Sequence, residues 1–241
     1  NYQVGLISQL RVVPGERQQE VASGLLKRAM NYLRSRGATV CHFGSQFPDA
    51  PFYLGLYGGS RHPGVMEHDE IVIDALTAEG FSQSGRVVCL TRQLDGFRPL
   101  VDRQQQMVRR SYLINKILGP LPRSWWESCT LGTSERQRHR FLVARKRDNF
   151  VCGSVSYWDM QPLASQTSTD TRGLYDLNIA PEIRRNGVAT WLVGESLKHL
   201  IEAGVQSVEA QAEETNVASV KLFQKLGFET SGHAWIMKRD L

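Results

Sequence analysis

Apolar residues recur along this chain with two different periods. Between positions 186 and 202, Val188, Trp191, Leu192, Leu197, Leu200 and Ile201 return every three to four residues, the spacing of one helix face. Shorter runs bounded by glycine or polar clusters, "LYDLNIA", "SVEAQAE" and "HAWIMKR", read as strands. Over the C-terminal part the pattern predicts a helix over 99–118, a Pro/Trp-rich connector "GPLPRSWWES", and a strand pair across "RFLVARKRDNFVCGSVSYWDM". A Ser/Thr-rich loop "QPLASQTSTDT" follows, then a strand at "LYDLNIA", a helix over 186–202, a strand at "SVEAQAE", a helix over 217–226 and a last strand at "HAWIMKR". Helices and strands mixed in this order predict an α/β or α+β fold built on a mixed sheet.

The same pattern occurs twice. With Pro14 set on Pro181, 167 positions apart, Arg17 meets Arg184, Val21 meets Val188, Ala22 meets Ala189, Leu25 meets Leu192, Leu33 meets Leu200 and Gly37 meets Gly204. Each copy reads as a helix ending in "SRGA" or "EAGV", a glycine suited to a helix C-terminus, followed by a strand. Further on, "EGFSQSGRVVCLTRQL" matches "LGFETSGHAWIMKRDL" at an offset of 147. The expected organisation is therefore two lobes of one fold, 1–94 and 95–241. The first lobe has no counterpart of residues 95–167, and with Asn1 rather than methionine in front the reading expects further residues upstream.

Bulk properties narrow the partners. The chain has 241 residues, 41% hydrophobic and 22% charged, with no apolar run near the roughly 20 residues of a membrane span. The start "NYQVGLISQL" lacks the basic and apolar regions of a signal peptide, so the expectation is no membrane and a cytoplasmic location. Cys41, Cys89, Cys129 and Cys152 are scattered singly, and His42, His62, His68, His139, His199 and His233 lack metal-ligand spacing, so no metal is expected. The net charge of +5 is dispersed among acids except at "SERQRHRFLVARKRDNF", a weak basis for nucleic-acid binding.

The repeated stretch carries the chemistry. In "APEIRRNGVATWLV" a strand ends in a turn with Arg-x-x-Gly-x-Ala and opens a helix. The first N–H groups of a helix have no internal partner and lie at the positive end of its dipole, so they can hold a phosphate. Glycine permits close approach and arginine adds charge. Neither a Walker loop nor a G-x-G-x-x-G fingerprint is present.

With "ETNVASVKLFQKLGF" about 30 residues later, the order "LNIAPEIRRNGVATWL" resembles the GNAT superfamily of acyl-CoA-dependent N-acyltransferases. The residues that carry the resemblance are Leu177, Ile179, Arg184, Gly187, Ala189, Asn216, Ser219, Leu222, Gly227 and Phe228, and it covers nearly all of 140–241. It implies acetyl-CoA as co-substrate and an amine acceptor: a small amine, an aminoglycoside-like molecule, or a peptide or protein. It implies that the backbone of Leu177, Asn178 and Ile179 pairs with the pantetheine arm, with one N–H polarising the thioester carbonyl. It further implies that the N–H groups of Arg184, Arg185, Asn186, Gly187, Val188, Ala189 and Thr190 cradle the pyrophosphate, and that Asn216 and Ser219 bond the pantetheine or adenosine-phosphate side.

Two departures matter. The tyrosine that usually protonates the leaving thiolate corresponds to Phe223, and the strand position where some members keep a glutamate base holds Gly173. Asp176 and Tyr175 are the catalytic candidates, with Glu213, Glu214 or a water-relayed base as alternatives. A non-catalytic CoA-binding module is the competing reading.

In the first copy Glu20 stands where the second has Gly187, and Gly80-Phe81 is reached without an Asn-x-x-Ser-x-x-Leu element. The expectation is a degenerate lobe that has lost the cofactor. Trp125 and Trp126 line an acceptor pocket or pack against the neighbouring lobe; "FYLGLYGGSRHPG" reads as an interdomain loop, and His233 as a strand histidine or an acceptor-cleft residue.

Overall fold

The computed structural model describes residues 3–44, 64–122, 128, 138–160 and 169–241. Trp125, Trp126, Cys129, His62 and most of the segments "FYLGLYGGSRHPG" and "QPLASQTSTDT" lie outside them. The fold is mixed α/β, as the pattern predicts, and the chain forms two compact units.

Unit 1 comprises Asn1–Cys89, Ala212–Asn216 and Thr230–Leu241. It contains β1 (Val4–Ile7), α1 (Gln18–Ser35), β2 (Val40–Phe43), β3 (Val65–Met66), α2 (Glu70–Ala78), most of β4 (Ser82–Gln93) and nearly all of β10 (Glu229–Asp240). β1 runs parallel to β2, and β10 runs antiparallel to both β2 and β3. The chain's last strand therefore belongs to unit 1, with Met237 opposite Phe43. Ala22, Leu26 and Met30 from α1 meet Val72, Ala75 and Leu76 from α2 over Cys41, Phe43, Phe81 and Met237, and this apolar packing is the unit's core. Burial pushes the Cys41 thiol up to about 11, so it packs as an inert apolar group.

Unit 2 comprises Leu90–Gln211 and Val217–Glu229. Its elements are α3 (Arg103–Ser111), β5 (Tyr112–Leu118), β6 (His139–Arg145), β7 (Val151–Asp159), β8 (Thr171–Ile179), α4 (Val188–Glu202), most of β9 (Ser207–Glu213) and α5 (Val217–Lys225). The strands lie in the order β9-β8-β7-β6-β5, antiparallel except for β8 and β9. α4 covers one face of this sheet. The Tyr157 hydroxyl meets Ser196 Oγ at 2.6 Å, and Phe141 stacks on His199 with ring centroids 5.8 Å apart. Of the helical stripe read from the sequence, Val188, Trp191, Leu192, Leu197 and Leu200 are buried, Val193 is buried with them, and Ile201 is exposed.

One predicted element is corrected. The helix expected over 99–118 ends at Ser111, and Tyr112–Leu118 is a strand paired along its whole length with β6. Asp102 caps the helix by accepting the Gln105 N–H at 2.7 Å. "YLINKIL" then takes the extended form because a partner strand satisfies its backbone, an influence that helical spacing does not register.

The two aligned helix starts differ. α4 begins at Val188, after Gly187 in the left-handed conformation. α1 begins at Gln18, after Arg17 at φ −106°, so Glu20, aligned with Gly187, already lies inside the first turn. There its carboxylate holds the Arg17 guanidinium at 2.7 Å.

Candidate functional site

The site is built where β8 leaves its neighbours. β8 and β9 pair at Thr171 with Ser207, Arg172 with Val208 and Gly173 with Glu209, and the pairing stops there. Parallel strands that share only three rungs and then part leave a fork, with backbone N–H and C=O groups along its inner edges. On the other side, β8 stays on β7 but slips register: Tyr175 faces Ser156, whereas Asn178 faces Ser154. Two residues, Asp176 and Leu177, thus oppose the single Val155, a β-bulge. Asp176 supplies the required kink with φ +55°, a conformation aspartate tolerates better than most residues. Its carboxylate has one oxygen shielded from solvent, and the Tyr175 hydroxyl is shielded too.

Beyond the bulge, Leu177 is half-buried, Asn178 exposed and Ile179 buried. The chain then makes a 3-10 turn, Pro181–Ile183, tied back by the Ala180 N–H donating to the Cys152 carbonyl at 2.8 Å. Arg184 Nε donates to the Ile179 carbonyl at 2.8 Å, so this arginine fastens the loop to the strand end besides carrying charge. Arg185 at φ +63° and Gly187 at φ +79° turn the backbone twice through the left-handed region, the geometry that gathers N–H groups into an anion-binding concavity. Arg184, Arg185 and Asn186 are exposed.

The first intrahelical bond of α4 runs from the Trp191 N–H to the Gly187 carbonyl at 3.0 Å, and no side chain caps the helix. The N–H groups of Val188, Ala189 and Thr190 therefore have no acceptor within the helix. Residues 177–179 thus close the strand and 184–190 open the helix, joined by the 3-10 turn.

Glycine at 187 has a second reason that the sequence does not show. A Cβ there would lie 2.9 Å from Gln104 Cδ and 3.0 Å from Gln105 Nε2, both on α3. Gln105 is buried, and its Nε2 donates to the Gly187 carbonyl at 3.4 Å. Its one sequence signal is the spacing Asp102-x-x-Gln105, a capping-box pattern at the start of α3.

The remaining candidates separate. Asn216 immediately precedes α5, its N–H donating to the Glu213 carbonyl at 2.8 Å, and Ser219 is half-buried in the first turn of α5. Phe223 is 2% exposed and packs on Phe228 with ring centroids 5.2 Å apart. Glu214 is held by Arg86 at 3.0 Å, and Glu213 is exposed. His233 pairs with Glu67 at 3.6 Å, so it is a partnered strand residue.

Glu209 is the ionisable group that sequence reasoning passed over, because "SVEAQAE" reads simply as an alternating strand. It sits on the last rung of the fork, half-buried, and burial pushes its carboxyl up to about 7. An acid held above its ordinary value binds its proton more tightly in the fold than in the unfolded chain. Its contribution to stability is full in the acid range and is lost as pH rises through about 7. Glu209→Gln is therefore expected to gain thermal stability relative to the parent between about pH 5 and about pH 8. Unfolding midpoints measured at the two ends check this, and an identical difference at both would contradict it.

One similar protein is an L-methionine sulfoximine/L-methionine sulfone acetyltransferase of Pseudomonas aeruginosa PAO1, 30% identical over 100 residues, 42% of this chain and 56% of that protein. A protein with the same description from Pseudomonas paraeruginosa is 30% identical over 97 residues, 40% of this chain and 55% of that one. The chain thus spans little more than half the length of these relatives. Among solved structures, a tandem GNAT protein from the clavulanic acid biosynthesis pathway superposes with a TM-score of 0.66 at 17% identity, covering 99% of this chain and 75% of that one. A fungal GCN5-related glucosamine N-acetyltransferase region reaches 0.69 at 17% identity, covering 97% of this chain and 29% of that one. These two likenesses show the fold. Residues 106–228, just over half of the sequence, match the Acetyltransferase (GNAT) family, and the chain belongs to it.

Proposed function

We propose that the chain transfers an acetyl group from acetyl-CoA to a primary amine by direct attack, and that only its second repeat holds the co-substrate. One observation carries this reading. The fork between β8 and β9 runs directly into a helix start with three uncapped N–H groups and a left-handed glycine. An extended amide-bearing arm and a pyrophosphate need that combination: strand-like backbone partners, then an anion cradle. Leu177, Asn178 and Ile179 are assigned to the pantetheine arm, Arg184 to Thr190 to the pyrophosphate, and Ser219 on α5 to the remaining polar part. The thioester supplies, when bound, the acyl carbon and a thiol leaving group. Tyr175 and Asp176 are assigned to the reacting end of β8.

The first repeat lacks the cradle. Its helix begins three aligned positions earlier, and Arg17, the counterpart of Arg184, is engaged by Glu20. This supports a lobe that keeps the fold without the co-substrate. Calorimetric titration of the intact chain with coenzyme A is expected to show one site; two sites of comparable affinity would contradict the assignment.

Transfer is tested by acceptor-dependent thiol release, beginning with L-methionine sulfoximine and L-methionine sulfone, the acceptors for which the two relatives are named. A second reading, a CoA-binding module without turnover, is favoured by the buried, hydroxyl-free Phe223. It predicts stabilisation by coenzyme A with no thiol released by any amine.

A further inference from the structure

We infer that Glu209, on β9 opposite Gly173 at the last rung before β8 and β9 part, accepts the ammonium proton of the acceptor amine. This rests on the transferase reading above. Glutamate is absent from β8 at Gly173, but the tertiary structure brings a carboxylate to the same rung from the neighbouring strand. The partner position has no side chain, so β8 places nothing beside Glu209 on that rung.

The surroundings suit a proton acceptor. Cross-strand register puts Gly173 opposite Trp158 and Tyr175 opposite Ser156, and Ser156 opposite Arg140, so these residues share the face on which Glu209 stands. Tyr157, which bonds Ser196 of α4, lies opposite Leu174 and marks the other face. Glu209 thus stands on the face away from α4. On β9 its same-face neighbours, Ser207 and Gln211, are uncharged. β4 flanks β9 on the far side, and its charged residue there, Arg92, is turned to the Gly227 carbonyl at 2.9 Å and to the Phe97 ring. Arg172 and Asp159 pair with each other at 2.9 Å on the α4 face. On the Glu209 face, Arg140 is three strands away on β6, its Nε donating to Ser156 Oγ at 3.1 Å, Tyr175 lies two residues beyond Gly173 on β8, and Glu213 lies four residues beyond Glu209 on β9. Among the described residues no cation pairs with the Glu209 carboxylate, and burial is the cause that raises its proton affinity.

The acceptor enters as an ammonium ion, and one N–H proton passes to the Glu209 carboxylate while its electron pair stays on nitrogen. That pair forms the new bond to the thioester carbonyl carbon, the carbon–sulfur bond breaks, and its electrons leave on sulfur. The second nitrogen proton neutralises the thiolate, and the first leaves Glu209 for water, so the net products are an amide, a free thiol and one proton.

The test compares the intact parent chain with Glu209→Gln and Glu209→Asp. In Glu209→Gln, acceptor-dependent thiol release is expected to fall by about 100-fold or more near neutral pH. Stabilisation by coenzyme A should be unchanged, which shows an intact fold and cradle. The parent rate is expected to rise with pH and level off above about 7; this inflection should vanish in Glu209→Gln and return, at lower rate, in Glu209→Asp. Independently of activity, a carbon-13 carboxyl resonance that disappears in Glu209→Gln should titrate near 7 in the free protein. A Glu209→Gln variant that keeps the parent rate and inflection, or a resonance titrating in the ordinary carboxylate range, overturns the assignment while leaving the transferase reading in place. Absence of thiol release from the parent with every amine overturns the transferase reading, and Glu209's role with it.

Discussion

Gly187→Glu is expected to weaken coenzyme A binding by two orders of magnitude or more. Three physical effects act together. A side chain in the left-handed conformation costs roughly 1–2 kcal/mol, and the φ of +79° at this position allows no relaxed alternative without moving the helix start. The new Cβ meets Gln104 and Gln105, which would have to shift away from the Gly187 carbonyl that Gln105 now bonds. With the pyrophosphate placed as proposed, the carboxylate faces phosphate, and unit charges about 4 Å apart repel by roughly 1–4 kcal/mol across the range from water to a protein surface. About 1.4 kcal/mol is a factor of ten in affinity, so the backbone and charge effects together, roughly 2–6 kcal/mol, span the stated loss. Gly187→Ala keeps the steric part without the charge and should lose less. Titration calorimetry on both variants checks the difference; an unchanged dissociation constant in Gly187→Glu would remove the phosphate from this helix start. In the stretch that aligns with this one in sequence, glutamate already stands at position 20, and α1 starts at Gln18.

The second large effect is on stability. Arg172→Ala is expected to cost about 3–5 kcal/mol, the range for breaking a buried ion pair from one side. The Arg172 side chain is 5% exposed and that of its cross-strand partner Asp159 10%, with 2.9 Å between Nη1 and Oδ1, and Asp170 also binds the guanidinium. Alanine removes this cation from the buried Asp159 carboxylate. For a chain of this size the loss corresponds to a fall in unfolding midpoint of about 6–20 °C, read by calorimetry. Pairing Arg172→Met with Asp159→Leu should restore much of it, because a buried ion pair replaced by apolar groups of similar volume is often neutral. A cost below about 1 kcal/mol for Arg172→Ala would mean that water reaches the pair. Arg172 also sits on the middle rung of the three that close the β8–β9 fork, so the same variant tests whether the closed end of the fork needs this anchor.

Much of the site was legible because its parts are contiguous. Strand, turn, glycine and helix follow one another from Leu177 to Thr190, and each step has a local cause: alternation, Pro181, the left-handed glycine, the apolar stripe of α4. The same logic exposed the altered helix start at Glu20. Periodicity failed at Tyr112–Leu118, where apolar residues spaced as on a helix were taken into a sheet by β6. Gln104 and Gln105 were invisible because their role depends on α3 lying against the start of α4, and Glu209 because its importance comes from which residue lies across the rung.

The division follows from the range of the interactions. Composition, period and turn chemistry act over a few residues, and they determined the mixed α/β class, most elements of residues 95–241 and the turn that opens α4, whereas the family was legible from the resemblance of two motifs. Strand pairing acts between residues far apart in sequence. The tertiary structure therefore decided where β8 and β9 part, that Asp176 forms a bulge, that the last strand pairs with β2 in unit 1, and that a glutamate on β9 faces the glycine on β8.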